Sequence, residues 1–222
     1  MITEQTQPSR DLTLPASFRR LAWSNLAAQS AEQIALACAS LVAVVTLGAA
    51  AADVGFLQTV LTLPFVLVAI PAGLLADRIR RGRLMAGAEW IRVGALSALV
   101  AALLTGTLTL PWLAAAGFIA VCGTVVFSVA APALVPSIVS ERVLPLANAR
   151  LELARTAAFA AGPALGGALV GLIGASVAFA TAVALSCVAP LLLGRIDEAP
   201  RPSLAARRPM RDIWEGSSFV AR

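Results

Sequence analysis

Long runs without a charged side chain dominate this amino-acid sequence. Four such runs contain 20, 23, 48 and 39 residues, and they lie between Glu32 and Asp53, Asp53 and Asp77, Arg92 and Glu141, and Arg155 and Arg195. A helix that spans a bilayer needs about 20 predominantly apolar residues, so the runs correspond to one, one, two and two spans. The sequence therefore predicts an all-α membrane protein with six transmembrane helices.

The composition excludes the main alternatives to a membrane protein. Charged residues make up 13% of the 222 residues and hydrophobic residues 59%, whereas an average soluble domain has about 25% charged residues. A soluble domain could not cover its surface with so few charges, and a disordered chain is far less hydrophobic. The lipid bilayer is therefore an expected partner.

The residue types needed for most enzymatic sites are missing or isolated. The sequence contains neither histidine nor tyrosine, which removes histidine-based triads and histidine-ligated metals. The three cysteines, Cys38, Cys122 and Cys187, stand alone within apolar runs, where a small buried hydrophobe is the usual role. We expect no enzymatic activity, no cofactor and no metal ion.

The breaks between apolar runs divide the chain into three parts. Residues 1–17 form a polar cytoplasmic tail, residues 18–195 a six-helix bundle, and residues 196–222 a cytoplasmic linker. Positions 210–222 of the linker suit a short amphipathic helix on the membrane surface. The six helices are predicted at residues 18–47, 54–76, 84–105, 112–139, 144–172 and 175–193.

The arginines predict the orientation of the bundle. All 17 basic residues are arginines, and 14 of them fall in the segments on one side of the predicted membrane. Because positive residues collect in cytoplasmic segments, both termini are predicted to be cytoplasmic, in a membrane of the bacterial inner-membrane type. Arginines beside apolar spans, rather than along one soluble face, also argue against nucleic acid as a partner.

The segment between the second and third helices carries a family motif. Residues 73–83 read GLLADRIRRGR and resemble motif A of the major facilitator superfamily, although Arg80 and Gly82 depart from it. The resemblance implies a gating role, in which these residues hold two helical bundles together on the cytoplasmic side; the matching residues are Gly73, Asp77, Arg78 and Arg81. On residues alone, the arginines could simply fix the loop on the cytoplasmic side.

A second motif lies in the predicted fifth helix. Residues 162–167 read GPALGG and resemble the core of motif C, which is associated with antiporters, although the glycines that precede this core in the motif are not matched. The resemblance implies a bendable gate formed by Gly162, Pro163, Gly166 and Gly167. The residues alone predict close helix packing through small side chains. Shorter matches, such as Val54-Gly55 and Leu63-Pro64, look like the branch of enterobactin exporters and macrolide efflux proteins.

The resemblance covers residues 18–222 and implies a larger fold than one bundle. Members of the superfamily have twelve helices in two six-helix bundles, each built from two inverted three-helix repeats. This chain corresponds to the amino-terminal bundle, so a second six-helix half is an expected partner, in the same protein, in a separate chain or in a second copy. The implied function is proton-coupled efflux of a small hydrophobic or amphipathic compound. The alternative is a truncated, non-transporting fragment or a membrane interaction module.

Polar residues inside the predicted spans are the candidates for a substrate or proton site. In the first helix they share one face: Asn25, Gln29, Glu32 and Gln33. Glu32 falls near the middle of the bilayer, where desolvation favours the neutral form of a carboxyl group and so suits proton coupling. The alternative is a structural glutamate that is hydrogen-bonded to Gln29 or to a neighbouring arginine.

Two carboxylate–arginine pairs lie three residues apart in later helices. Glu89 with Arg92, and Glu152 with Arg155, can neutralise each other on one helix face. Either arginine could instead bind an anionic substrate or pair with Glu32. We therefore count Glu89, Arg92 and Arg155 among the candidate cavity residues.

Overall fold

The computed structural model describes residues 14–194 and Ile196. Within them the regular structure is helical, in seven α-helices: α1 (Ala16–Val45), α2 (Ala51–Leu67), α3 (Ala69–Arg78), α4 (Arg81–Leu104), α5 (Leu110–Leu134), α6 (Leu144–Leu172) and α7 (Ala175–Leu193). Two single 3₁₀ turns, Val135–Ser137 and Glu141–Val143, connect α5 to α6. The all-α prediction is confirmed, whereas most of the predicted tail and linker, with the amphipathic segment 210–222, lies outside the described residues.

The predicted second helix is two helices in the structure. It was expected as one element over residues 54–76, but α2 and α3 meet at Val68 with a bend of 40°. Pro71 explains the break, because it has no N–H to donate to the carbonyl of Leu67 one turn earlier. With the bent pair counted as one span, six segments are long and apolar enough to cross a membrane.

The other predicted boundaries differ from the structure by a few residues, with one larger exception. The fourth predicted helix was expected to continue to position 139, but α5 ends at Leu134 and gives way to a 3₁₀ turn. Pro136 lies within that turn and cannot continue the α-helical hydrogen bonding. The predicted bounds of α6 and α7 agree with the structure, and Gly174 separates the two helices at a φ of 104°, which favours glycine.

The helices pack unevenly around the bundle. α1 lies against α6 and α7, α4 against α5 and α7, and the bent pair α2–α3 against α5. α6 contributes few side chains to the interior; its buried residues form one narrow stripe of Ala147, Leu151, Ala158, Gly162 and Gly166. Most of the surface of α6 is therefore left uncovered by the described residues.

The apolar interior is divided into two clusters. One cluster, around Val42, Leu99 and Phe179, lies towards the loops that carry no arginine. The other, around Phe18, Met85 and Phe127, lies towards the arginine-rich loops. Between them, at mid-depth, the bundle buries a layer of polar and charged side chains: Gln29, Glu32, Gln33, Glu89, Arg92, Thr124 and Ser186. This polar layer positions the candidate site.

Candidate functional site

Arg92 is the centre of the polar layer. Its side chain is 2% exposed, and it donates hydrogen bonds to groups on four helices. The acceptors are Glu89 Oε2 on α4 (2.7 Å), Thr124 Oγ1 on α5 (3.0 Å), Ser186 Oγ on α7 (3.1 Å) and the carbonyl of Ala28 on α1 (2.9 Å). Four of its five N–H groups are thereby used, which makes Arg92 a fixed cross-link between these helices.

Glu89 is held by the same arginine and is completely buried. Its Oε2 forms the 2.7 Å ion pair with Arg92, and its side chain has 0% exposure. The second oxygen, Oε1, is buried without a hydrogen-bond partner among the described residues. A buried oxygen without a hydrogen bond is energetically unfavourable. Oε1 of Glu89 is therefore available to bind a proton or to accept a hydrogen bond from a bound molecule.

Glu32 lies in the same layer but has a different environment. Its side chain is 6% exposed and lines a narrow cavity whose wall also includes Arg92 and Thr124. The rest of the lining is almost entirely apolar, with Leu61, Leu96 and Phe179 among its members. The cavity has a volume of about 20 Å³, which is enough for one water molecule. Glu32 therefore faces an open space, whereas the Glu89 carboxylate is held in its ion pair with Arg92.

The other polar residues of α1 contribute to helix packing. Asn25 Nδ2 donates a hydrogen bond to the carbonyl of Leu151 on α6 (3.1 Å), and Ser24 Oγ donates one to the carbonyl of Ala189 on α7 (3.1 Å). Gln29 and Gln33 are buried as well. Thus the polar face predicted for α1 is buried within the bundle, and Asn25 is one of the groups that join α1 to α6.

The second carboxylate–arginine pair is not part of the polar layer. Arg155 Nη2 lies 2.6 Å from Glu152 Oε1, with 50% and 58% of the two side chains exposed. The guanidinium carbon of Arg155 also lies 5.5 Å from the ring centre of Phe159. The pair therefore occupies the uncovered face of α6, outside the polar layer, and the assignment of Arg155 to a substrate cavity stays a prediction.

The residues that match motif A lie at the turn between α3 and α4. Asp77 and Arg81 form a long ion pair of 3.8 Å, and Asp77 is 68% exposed. Arg81 Nη1 also donates a hydrogen bond to the carbonyl of Ala133 in the last turn of α5. Arg81 thereby ties this turn to the end of α5, a favourable place for a cation. A Cβ added to Gly73 would meet no atom within 4 Å, so this bundle does not use that glycine for close packing.

The residues that match motif C form the contact between α6 and α1. A Cβ added to Gly162 would collide with Gln33, and one added to Gly166 would lie 3.0 Å from the Cβ of Ala37. Gly167 is less tightly packed, since Leu41 is 4.0 Å away, and Pro163 is exposed. Of the glycine row, Gly162 and Gly166 bring the two backbones close together.

The model of the transmembrane secretion effector family, of the major facilitator type, matches residues 14–219. The chain belongs to this family. A search among curated proteins gives no match. As a member of the transmembrane secretion effector family, the chain is a multi-pass membrane protein of the transporter type, and its six spans are those of a major facilitator bundle.

Two residues of the polar layer were not among the predicted candidates. Thr124 and Ser186 accept hydrogen bonds from Arg92, yet each is a single small hydroxyl in an apolar helix. Nothing in their local sequence separates them from ordinary hydroxyls that bond within their own helix, as Thr181 does. In the described part of the chain, no group of three histidine, cysteine, aspartate or glutamate side chains is placed to hold a metal ion.

Proposed function

We propose that this transporter couples the efflux of a small hydrophobic or amphipathic compound to proton entry, with Glu32 as the coupling group. One observation carries the proposal: Glu32 lines an apolar cavity at mid-depth, beside an arginine that is already bound to a second carboxylate. Intramembrane ionisable residues are expensive, and those kept in the interior are usually functional.

The charges of the polar layer support exchange of a single proton. Glu32, Glu89 and Arg92 together carry a net charge of −1 when both carboxyl groups are ionised, and they are neutral when one of them is protonated. A neutral centre is favoured in a low-dielectric interior. Glu89 is locked to Arg92 at 2.7 Å with no exposure, so Glu32, which faces the cavity, is the group that can exchange its proton.

The substrate itself binds elsewhere under this proposal. A cavity of about 20 Å³ admits water but excludes any organic compound. In transporters built from repeated bundles, the substrate site lies between bundles, and access alternates as one bundle rocks against the other. Apart from the ion pair Glu152–Arg155 on α6, the uncovered faces of α2, α3 and α6 are largely apolar and suit one wall of such a path. Phe56, Phe65 and Phe159 are each at least 47% exposed there.

Reconstitution into liposomes tests the proposal. Ethidium and a neutral macrolide serve as probes, and the rate at which each enters the vesicles is measured with and without an acidic interior. We expect an acidic interior to accelerate entry of at least one probe and a protonophore to abolish the acceleration. Uptake that is insensitive to the gradient would exclude proton coupling, and no uptake beyond protein-free liposomes would favour the alternative function.

That alternative is a membrane interaction module without transport. The observation that favours it is the ion pair Glu152–Arg155, which is exposed on α6 about 12–17 Å from the start of the helix at Leu144. Charged groups at that depth need a polar or protein cover. A partner protein that covered α6 permanently would make the chain a subunit of an assembly.

A further inference from the structure

A wide groove separates α1 and α6 at their arginine-rich ends. It has a volume of about 750 Å³. Its floor is formed by Phe18 and Ala22 of α1 and by Ala154 of α6, which are at least partly buried. Its walls are Trp23 and Leu153, with 62% and 68% of their side chains exposed. The groove is thus a lined channel of small and apolar side chains that opens to the surface.

The polarity of the groove changes along its length. Arg19 of α1 and Arg150 of α6 line the end near the helix starts, whereas Leu26 and Ala157 line the end nearer the membrane centre. Each arginine precedes the deeper residue on its own helix by seven positions, or about 10 Å. Trp23, one turn from Arg19, occupies the intermediate level that amphipathic rings favour in a bilayer.

The two arginines keep their positive charges available to a ligand. Neither forms a salt bridge with another residue in the described part of the chain. Glu152, two residues after Arg150, has both of its oxygens bound by Arg155. The groove therefore offers two cations at one end and an apolar trough of about 10 Å below them, which complements an anionic head group attached to a hydrocarbon chain.

We propose that this groove binds an anionic phospholipid of the leaflet next to the arginine-rich loops. Basic pockets between transmembrane helices on that side of a membrane suit phosphate head groups, and the apolar trough accepts the first methylene groups of an acyl chain. The phosphate lies between Arg19 and Arg150, and the acyl chain follows Trp23 and Leu153. The proposal does not depend on proton coupling or on transport.

Native mass spectrometry of the full chain in detergent tests this site. Phosphatidylglycerol and phosphatidylcholine with identical acyl chains are titrated against wild type, Arg19→Gln/Arg150→Gln and the matched control Arg83→Gln/Arg142→Gln. The control removes two exposed arginines from the same end of the bundle but outside the groove. We expect retention of one phosphatidylglycerol by wild type and the control, and a loss of affinity of about 30-fold in the Arg19/Arg150 variant.

Several outcomes would overturn the proposal. Equal retention of the two lipids, or an equal loss in both double variants, would show that no specific head-group site exists. Displacement of the lipid by glycerol 3-phosphate at similar concentrations would show an anion site without a lipid requirement. Should Arg19→Gln/Arg150→Gln fail to fold, Ala154→Leu fills the trough without changing a charge; unchanged retention of phosphatidylglycerol in this variant would contradict the proposal.

The position of the acyl chain is tested separately by fluorescence. In a variant with Trp90, Trp112 and Trp214 replaced by phenylalanine, Trp23 is the remaining tryptophan. Brominated phosphatidylglycerol at a low mole fraction is expected to quench Trp23 more strongly than brominated phosphatidylcholine does. Equal quenching by the two lipids would place ordinary boundary lipid, and not a bound anionic lipid, beside Trp23.

Discussion

Arg92 and Glu89 form an ion pair of 2.7 Å in the interior of the bundle, one helical turn apart on α4 and almost fully enclosed. The pair does more than neutralise two charges on one helix, because the Arg92 guanidinium also donates hydrogen bonds to groups on α1, α5 and α7. A buried charge of this kind is stable only when its partner and the surrounding hydrogen bonds are complete. The relationship therefore makes the centre of the bundle sensitive to loss of either residue, and to loss of Arg92 most of all.

Replacement of Arg92 is expected to destabilise the bundle severely. Arg92→Met leaves the Glu89 carboxylate buried without a cation, so the free energy of unfolding should fall by about 3–5 kcal/mol. Glu89→Leu/Arg92→Met removes both charges and should recover most of that loss. Unfolding of the purified variants in detergent, followed by tryptophan fluorescence against added denaturant, measures the differences.

Arg155→Met is the matched control for this comparison. It breaks an ion pair with the same spacing, but one that is at least half exposed, so its effect on unfolding should stay below about 1 kcal/mol in detergent. Similar losses for Arg92→Met and Arg155→Met would contradict the special role assigned to burial.

The close contact between α6 and α1 predicts unequal effects of two equivalent substitutions. Gly162→Ala places a methyl group against Gln33 and should lower stability by about 1–3 kcal/mol. Gly171→Ala, on the same helix, meets no atom within 4 Å and should leave stability unchanged to within about 0.5 kcal/mol. Thermal unfolding of both variants in one detergent provides the test; equal melting temperatures would show that the backbones are not in close contact at Gly162.

Periodicity and charge revealed most of the fold, and for a physical reason. Every backbone polar group in a bilayer must be satisfied within the chain, so apolar runs of sufficient length can only be helices. The bend at Val68 was not predicted, because the presence of Pro64 and Pro71 does not determine whether the helix stays continuous or breaks. That outcome depends on how neighbouring helices pack against it. The polar face of α1 and the pair Glu89–Arg92 were recognised because charged residues within apolar runs are rare.

The groups that contact Arg92 could not be predicted from the sequence in the same way. Whether Arg92 or Arg155 lies in the interior depends on how α4 and α6 rotate against their neighbours, and the two Glu-x-x-Arg sequences are equivalent in spacing. Thr124 and Ser186 are even harder to predict, because their hydroxyls join the site only where the packing of α5 and α7 against α4 places them next to Arg92. Tertiary packing decides such contacts, and no local pattern encodes them.

The exposed pair Glu152–Arg155 predicts that the part of the α6 surface around these two residues is not bathed in lipid. Cysteines are introduced singly at Glu152, Arg155 and Ile91 in a background with Cys38, Cys122 and Cys187 replaced by alanine. A membrane-impermeant maleimide should label positions 152 or 155 if a water-filled passage covers them, and a neighbouring protein should instead give cross-links there. Position 91, which is 58% exposed on α4, should show neither. Identical behaviour at all three positions would contradict the prediction.

The arginine distribution predicts the orientation of the bundle. Thr107 lies in the turn between α4 and α5, and Arg142 in the connection between α5 and α6, at the opposite end of α5. Cysteine at position 107 should react with an impermeant maleimide added to intact cells, whereas cysteine at position 142 should react only after the membrane is opened. The reverse pattern would invert the proposed topology.

Substrate movement and proton coupling can be measured separately in the assembled transporter. Glu32→Gln preserves the shape of the side chain and most of its hydrogen bonding but cannot exchange a proton. With the probe that wild type transports, gradient-free exchange in proteoliposomes should continue, while accumulation driven by a pH gradient should be lost. The control Glu141→Gln changes an exposed carboxylate in the connection between α5 and α6 and should retain both. Accumulation by Glu32→Gln at the wild-type rate and with unchanged pH dependence would contradict the role assigned to Glu32.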